Sequence, residues 1–176
     1  MDILISNGYL VLDNVLNNED CDLYKKYIDD IFLETPDLDG LEIEGYERKK
    51  TFNSELSLFV TNMLNKYINN LNLNISPYWY PTRYINGGGL CIHSDGSAYD
   101  ENKSSSYTIL VYLNEDFEGG RTVFVDDYDD EEIINENSNY VTPKTGMILL
   151  LDQNKLHFAE KVTKGVKYIL RGDIFI

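Results

Sequence analysis

Hydrophobic and polar positions follow one pattern before about residue 75 of this chain and another after it. In the first part, residues 8–12 are typical of a strand, and two later stretches repeat apolar residues at helical spacing. The first predicted helix begins at Asn17 or Asn18, either of which can cap a first turn rich in acids. Its predicted apolar positions are Leu23, Tyr27, Ile28 and Ile31. The second helix is predicted over residues 54–71, with Leu58, Phe59, Met63, Leu64, Tyr67 and Ile68 on one apolar side.

From Ile75 onward the segments are short, β-branched and aromatic, and Gly, Asn, Asp and Ser separate them. Short strands at near-regular spacing predict a sandwich or a barrel. The predicted strands are 77–85, 89–94, 106–113, 121–126, 139–142, 146–151, 155–161 and 166–175. Because no repeat or long linker divides the chain, we expect one domain, 1–176, in which residues 1–74 support a core formed by 75–176.

Charge narrows the range of partners. The 176 residues contain 15 Lys and Arg against 30 Asp and Glu, a formal net charge of −15. A chain of this sign is repelled by phosphates, so we expect no nucleic acid partner and no anionic membrane surface. The acidic stretch 126–139 is interpreted as a solvated excursion between strands, and the alternative is a clamp for a basic peptide.

The cysteines and the first residues of the chain indicate in which cellular compartment the protein is expected. Cys21 and Cys91 are far apart and form no disulfide framework. No apolar run is long enough to cross a bilayer, and the acidic start of the chain does not resemble a signal peptide. We therefore expect a cytoplasmic protein.

The chain contains two histidines, and both lie near residues that could complete a metal site. His93 and Asp95 are two residues apart, a spacing that places two side chains on one face of a strand. His157 lies 62 residues further on, after an apolar strand and a turn, and a sheet folded back on itself can bring it beside them. Two imidazoles and one carboxylate leave open positions on a six-coordinate ion, a set that suits Fe(II) in oxygenases.

A cation follows the second histidine. Lys167 and Arg171 alternate with Ile169 and Asp173 along one face of the predicted last strand. A 2-oxo acid that chelates iron also needs a fixed Lys or Arg for its far carboxylate. The alternatives are a Lys whose ammonium reaches the rim and an Arg171–Asp173 pair at the surface.

These residues and their surroundings resemble the iron- and 2-oxoglutarate-dependent dioxygenases, in particular those similar to prolyl 4-hydroxylase. The resemblance covers about residues 77–176. It runs through Tyr84-Ile85-Asn86-Gly87, His93-Ser94-Asp95-Gly96, Tyr107 to Asn114, Phe117 to Phe124, Pro143 to Gly146, His157 and Gly165 to Arg171.

The resemblance implies a mainly β fold with flanking helices (α+β), in which a double-stranded β-helix, or jelly roll, is supported by N-terminal helices. It also implies roles for seven residues. His93, Asp95 and His157 are the expected catalytic iron ligands, and Lys167 is expected to bind the far carboxylate of 2-oxoglutarate, with Arg171 as the second candidate. Tyr112 and Tyr84 are expected pocket residues, and core packing is the alternative for both tyrosines.

The expected activity is hydroxylation of a C–H bond, with a peptidyl proline as the favoured substrate and with release of succinate and CO2. The cofactors are then Fe(II), 2-oxoglutarate and O2, and ascorbate is a candidate reductant. The expected partner is a peptide or protein substrate, with a small molecule as the alternative. Two other functions stay open: a cupin-type metalloenzyme that does not use 2-oxoglutarate, and an inactive peptide-binding module of the same fold.

Overall fold

The computed structural model of the protein describes residues 5–34, 44–68, 73–100, 103–128, 134–135 and 138–175. Its helices are α1 (Ile5–Gly8), α2 (Asn18–Glu34) and α3 (Ser54–Tyr67). The strands that precede the second histidine are β1 (Tyr9–Leu12), β2 (Tyr46–Arg48), β3 (Thr51–Phe52), β4 (Asn74–Tyr84), β5 (Leu90–His93), β6 (Tyr99–Asp100), β7 (Lys103–Tyr112), β8 (Glu118–Gly119), β9 (Thr122–Phe124), β10 (Asn139–Val141) and β11 (Ile148–Asp152). The last strands are β12 (His157–Ala159), β13 (Val162–Lys164) and β14 (Lys167–Phe175).

Two antiparallel sheets carry most of these strands. The larger has the order β1-β11-β7-β14-β4-β2, and β3 and β6 pair at its sides; the smaller has the order β10-β9-β12-β5. This arrangement is the expected mainly β fold with flanking helices. Each of the eight strands predicted after residue 75 has a counterpart, whereas β2, β3, β6, β8 and β13 were not predicted because two or three residues carry too little pattern.

Side chains on the larger sheet alternate between two apolar clusters. Along β7, Ile109 and Val111 join the cluster that includes the buried residues of α2 and α3, whereas Leu110 and Tyr112 join the second, which includes Phe124 of the smaller sheet. This period of two follows from the pleat of the strand. The functional residues described below lie on the same side of the larger sheet as the second cluster.

Two predictions about the helices are wrong in detail. In α2 the predicted apolar position Ile28 is buried, but the predicted Leu23 is 61% exposed, and Cys21 and Phe32, which were not predicted, are buried. In α3 the buried residues are Leu56, Ser57, Val60 and Leu64, whereas the predicted Leu58 and Tyr67 are exposed.

Capping and one buried hydrogen bond fix the rotation of α3. The Asn53 side chain caps the helix by accepting from the N–H of Leu56 at 2.9 Å. The Ser57 hydroxyl accepts from the indole N–H of Trp79 at 2.9 Å, which turns a polar residue towards the sheet. The predicted extension from residue 69 to 71 lies outside the described residues. In the part of the chain that the structure describes, no helix has the length and apolar character needed to cross a bilayer.

Candidate metal centre and 2-oxoglutarate pocket

Strand pairing brings the two histidines together. His93 ends β5 and His157 begins β12, and the antiparallel register places the two residues directly opposite each other. Their ring centroids are 4.3 Å apart. Asp95 lies beyond the end of β5, not within a strand, and its backbone N–H donates to the carbonyl of Gln153 at 3.1 Å. One ligand atom from each of His93, Asp95 and His157 lies within 4.8 Å of the other two.

Both imidazoles are held in the orientation and tautomer that a metal ligand needs. Nδ1 of His93 lies 2.8 Å from the carbonyl of Cys91, and Nδ1 of His157 lies 2.9 Å from the carbonyl of Lys155. Because a carbonyl oxygen only accepts, Nδ1 is a donor in both rings, and the neutral tautomer that makes this hydrogen bond has its lone pair on Nε2. In His157, burial lowers the pKa below its ordinary value, which favours this neutral form.

The third member of the site is an ionised carboxylate. Burial by itself raises the pKa of Asp95, but the positive charge of Arg171 together with smaller contributions from neighbouring side chains outweighs it, so that the pKa lies below its usual value. Oδ1 is 3.8 Å from Nε2 of His93 and 3.5 Å from Nε of Arg171. Oδ2 is buried and makes no regular hydrogen bond; the Thr108 hydroxyl lies near enough to favour the ionised form without completing one.

This donor set fits iron(II). Two imidazole nitrogens and a buried carboxylate oxygen without a regular hydrogen-bond partner among the described residues lie close together, and a buried anionic oxygen in that state is stabilised by a cation. Imidazole and carboxylate ligands on one face, with the remaining positions open, are typical of non-haem Fe(II) oxygenases.

A cavity of about 450 Å³ adjoins the three residues. The cavity side of β14 presents Lys167, Ile169, Arg171 and Asp173, as their alternation along the strand predicted. The other polar lining residues include Tyr46, Arg48, Tyr80, Thr82, Tyr84 and Thr122. Such a volume is suited to a small cosubstrate together with part of a larger substrate.

Lys167 is a buried ammonium without a carboxylate partner. It is 2% exposed, and no Asp or Glu within the described ranges lies within 4.0 Å of its Nζ. Nζ donates to the carbonyl of Gly120 at 2.6 Å and lies over the rings of Tyr84 (4.9 Å) and Tyr112 (5.4 Å). Burial lowers its pKa from 10.5 to about 7, and the negative charge of Glu160 only partly opposes this. A carboxylate placed here would restore the charge of the ammonium.

Arg171 has a different environment. Its guanidinium pairs with Asp173 at 3.1 Å and with Asp95 at 3.5 Å. Asp173 is 2% exposed and accepts from Gln153 at 3.0 Å, so the alternative of an Arg171–Asp173 pair at the surface is wrong. The positive charge of Arg171 is already compensated, and the residue holds the carboxylate of Asp95 in place.

The two tyrosines expected in the pocket differ in position. Tyr84 lines the cavity, whereas Tyr112 does not; its hydroxyl lies 2.8 Å from the Thr122 hydroxyl, and Thr122 does line the cavity. Sequence reasoning also missed Tyr46 and Arg48, which line the cavity from β2. Their only signal was two-residue alternation in a strand too short to be predicted.

Part of the acidic stretch 126–139 lies outside the described residues. At its start, the Asp126 carboxylate is 3.5 Å from the Lys155 ammonium. Tyr128 is 61% exposed, and its hydroxyl lies 3.4 Å from the hydroxyl of Ser94, the residue between His93 and Asp95 in the sequence. The beginning of this stretch therefore lies beside the metal centre.

Several solved structures share this fold. The viral collagen prolyl hydroxylase vCPH from Paramecium Bursaria Chlorella virus-1, in a 2-oxoglutarate complex, aligns with a TM-score of 0.67 and 20% identity over 98% of each chain. A Trichoplax adhaerens prolyl hydroxylase in complex with a hypoxia inducible factor peptide aligns with a TM-score of 0.70 and 18% identity over 98% of this chain and 85% of that one. HygX from Streptomyces hygroscopicus, with nickel and 2-oxoglutarate bound, aligns with a TM-score of 0.70 and 16% identity over 98% of this chain and 84% of that one.

Comparison of the sequence with curated proteins and with family models identifies the family of the chain. No curated protein matches the chain. A family model, that of the 2OG-Fe(II) oxygenase superfamily, matches residues 80–172, more than half of the chain, and this range contains His93, Asp95, His157, Lys167 and Arg171. The match favours chemistry that uses 2-oxoglutarate over the alternative of a metalloenzyme independent of it. The chain belongs to the 2OG-Fe(II) oxygenase superfamily and is a dioxygenase that uses iron(II) and 2-oxoglutarate.

Proposed function

We propose that this enzyme hydroxylates a C–H bond of a peptidyl proline, with His93, Asp95 and His157 as the iron ligands and Lys167 as the partner of the far carboxylate of 2-oxoglutarate. When bound, iron(II) and 2-oxoglutarate supply the oxidising chemistry, in which O2 is consumed, succinate and CO2 are released and one oxygen atom enters the substrate. The observation that carries the site assignment is the buried ammonium of Lys167, which has no carboxylate partner among the described residues and lies in the cavity that adjoins the three ligands.

The residues around the ligands have supporting roles. Arg171 holds the Asp95 carboxylate through an ion pair of 3.5 Å. The carbonyls of Cys91 and Lys155 orient the two imidazoles. Hydrogen bonds and ion pairs of this kind fix the orientation of ligand side chains and favour metal binding.

An aromatic row supports a peptide substrate. We use this name for Phe52, Tyr78 and Tyr80. Tyr80 lines the cavity, and Tyr78 follows on the same face of β4 and forms an edge-to-face pair with Phe52 at 5.4 Å. Phe52 is 66% and Tyr78 is 46% exposed, so the row leads from the cavity to the surface. Exposed aromatic rings are the surfaces on which proline-rich peptides dock.

The test is turnover of a peptide library that contains proline, with Fe(II), 2-oxoglutarate and O2, followed by mass spectrometry. We expect a gain of one oxygen atom on proline, coupled to succinate. Phe52→Ser should raise KM for the peptide several-fold, and Leu33→Ser is the matched control, because Leu33 is 81% exposed on α2 and is not part of the row. Succinate formation with the oxygen found only on other residues or on a small molecule would contradict the proposal.

A further inference from the structure

Arg48 differs from the other three arginines of the chain. Within the described ranges, no Asp or Glu lies within 4.0 Å of its guanidinium. The other arginines all have carboxylate partners: Arg83 pairs with Asp29 and Glu47, Arg121 with Glu160, and Arg171 with Asp95 and Asp173. In a chain with 30 acidic residues, an arginine without an acidic partner among the described residues is unusual.

The position of Arg48 directs it at the cavity. Arg48 lies on β2 opposite Thr82 of β4, and both side chains line the cavity. Its Cζ is 5.3 Å from the ring centroid of Tyr80, and its Nε is buried with no hydrogen-bond partner. A buried donor without an acceptor is costly, and a charged one more so. A ligand oxygen placed here would complete that hydrogen bond.

If iron(II) and 2-oxoglutarate bind as in the proposed function, the charge of Arg48 is the one charge among the described cavity residues that no opposite charge balances. Iron(II) and dianionic 2-oxoglutarate cancel each other, as do Arg171 and Asp173, and the Lys167 ammonium offsets Asp95. The remaining charged lining residue is Arg48, so the loaded cavity keeps one positive charge. Lys50, two residues on and exposed, extends this positive wall outward, with its Nζ 4.7 Å from the ring centroid of Tyr78.

We infer that Arg48 binds a carboxylate of the substrate, so that the preferred peptide carries an Asp or Glu beside the residue that is hydroxylated. The planar guanidinium suits a carboxylate, because two parallel N–H groups can donate to its two oxygens. Net charge alone suggests the opposite preference, for a basic peptide. Inside the cavity the positive charge of Arg48 has a larger effect on the substrate than the net charge of the chain, because charges interact most strongly at short range and where water is excluded.

The test uses three peptides that differ at one position beside a proline, which is Glu, Gln or Lys. We expect the wild-type enzyme to prefer the Glu peptide over the Gln peptide by about ten- to a hundredfold in kcat/KM. In Arg48→Gln this ratio should fall to within about twofold of unity, and in Arg48→Glu the Lys peptide should become the best substrate. Arg83→Gln is the matched control and should keep the wild-type ratio, since Arg83 does not line the cavity.

Binding to the enzyme loaded with zinc and 2-oxoglutarate, measured by calorimetry, separates this inference from the proposed function. Selective binding of the Glu peptide without oxygen gain on proline would support the inference and overturn the peptidyl-proline function. Equal turnover of all three peptides would overturn the inference and leave that function standing. Failure of the Glu peptide to bind, or an Arg48→Gln variant that loses affinity for 2-oxoglutarate and keeps the peptide ratio, would also overturn the inference.

Discussion

Replacement of Lys167 by Met is expected to stabilise the metal-free enzyme at neutral and lower pH while it removes 2-oxoglutarate binding. The side chain is 2% exposed, and burial lowers its pKa from 10.5 to about 7. A pKa decrease of this size corresponds to about 5 kcal/mol of lost stability at pH values below 7. Met fills a similar volume and has no charge to desolvate.

Two lost contacts offset part of that gain. The carbonyl of Gly120 loses its donor, at a cost of about 1–3 kcal/mol. The cation–π contacts with Tyr84 and Tyr112 are lost as well, at about 1 kcal/mol. We therefore expect Lys167→Met to raise the free energy of unfolding by about 1–3 kcal/mol below pH 7.

The pH dependence identifies the cause. Between pH 7 and 10.5 the unfolded chain keeps the Lys167 proton and the folded chain does not, so wild-type stability rises with pH. The advantage of the variant should therefore fall by about 3 kcal/mol between pH 7 and pH 9. Tyr84 and Tyr112, whose pKa values are raised by burial, stay neutral over this range.

Urea unfolding with a chelator present, followed by the fluorescence of the single, fully buried Trp79, measures these differences. Lys26→Met is the control, because Lys26 is exposed on α2 and its replacement should leave the free energy of unfolding nearly unchanged. A Lys167→Met enzyme less stable than the wild type at pH 6.5, with a difference that does not change up to pH 9, would refute the reasoning. So would unchanged affinity for 2-oxoglutarate, measured by calorimetry at pH 6.5.

Three further predictions concern the site and the fold. His93→Ala should lose at least tenfold in iron affinity, by metal titration, and should abolish 2-oxoglutarate turnover; consumption at the wild-type rate would contradict the ligand assignment. Tyr112→Phe should cost about 1 kcal/mol in urea unfolding and change KM for 2-oxoglutarate less than about threefold, because its hydroxyl bonds Thr122; a larger rise in KM would show a direct contact. Gly146→Ala should destabilise by at least 1–3 kcal/mol, since φ is +77° and a Cβ would lie 2.1 Å from the carbonyl oxygen of Leu16; an unchanged thermal midpoint would exclude this strain.

Local pattern was sufficient for much of the fold. Short β-branched and aromatic segments separated by Gly, Asn, Asp and Ser predicted every strand longer than three residues after residue 75, and alternation with a period of two placed Lys167 and Arg171 on one face of β14. The helical apolar pattern failed for α3, where the buried side includes Ser57 because its hydroxyl accepts a hydrogen bond from Trp79, 22 residues away. Apolar counting along a helix has no access to such a partner.

The sequence by itself determined which residue types stand at which strand positions, and from these came the ligand set and the cation ten residues after His157. Only the tertiary structure decided how each of these charges is compensated. Arg171 and Arg48 look alike in the sequence, yet Arg171 is paired with Asp95 and Asp173, whereas Arg48 faces the cavity with no carboxylate partner in the part of the chain that the structure describes. The reason is physical: the pKa and the charge balance of a group depend on its burial and on neighbours that lie far away along the chain.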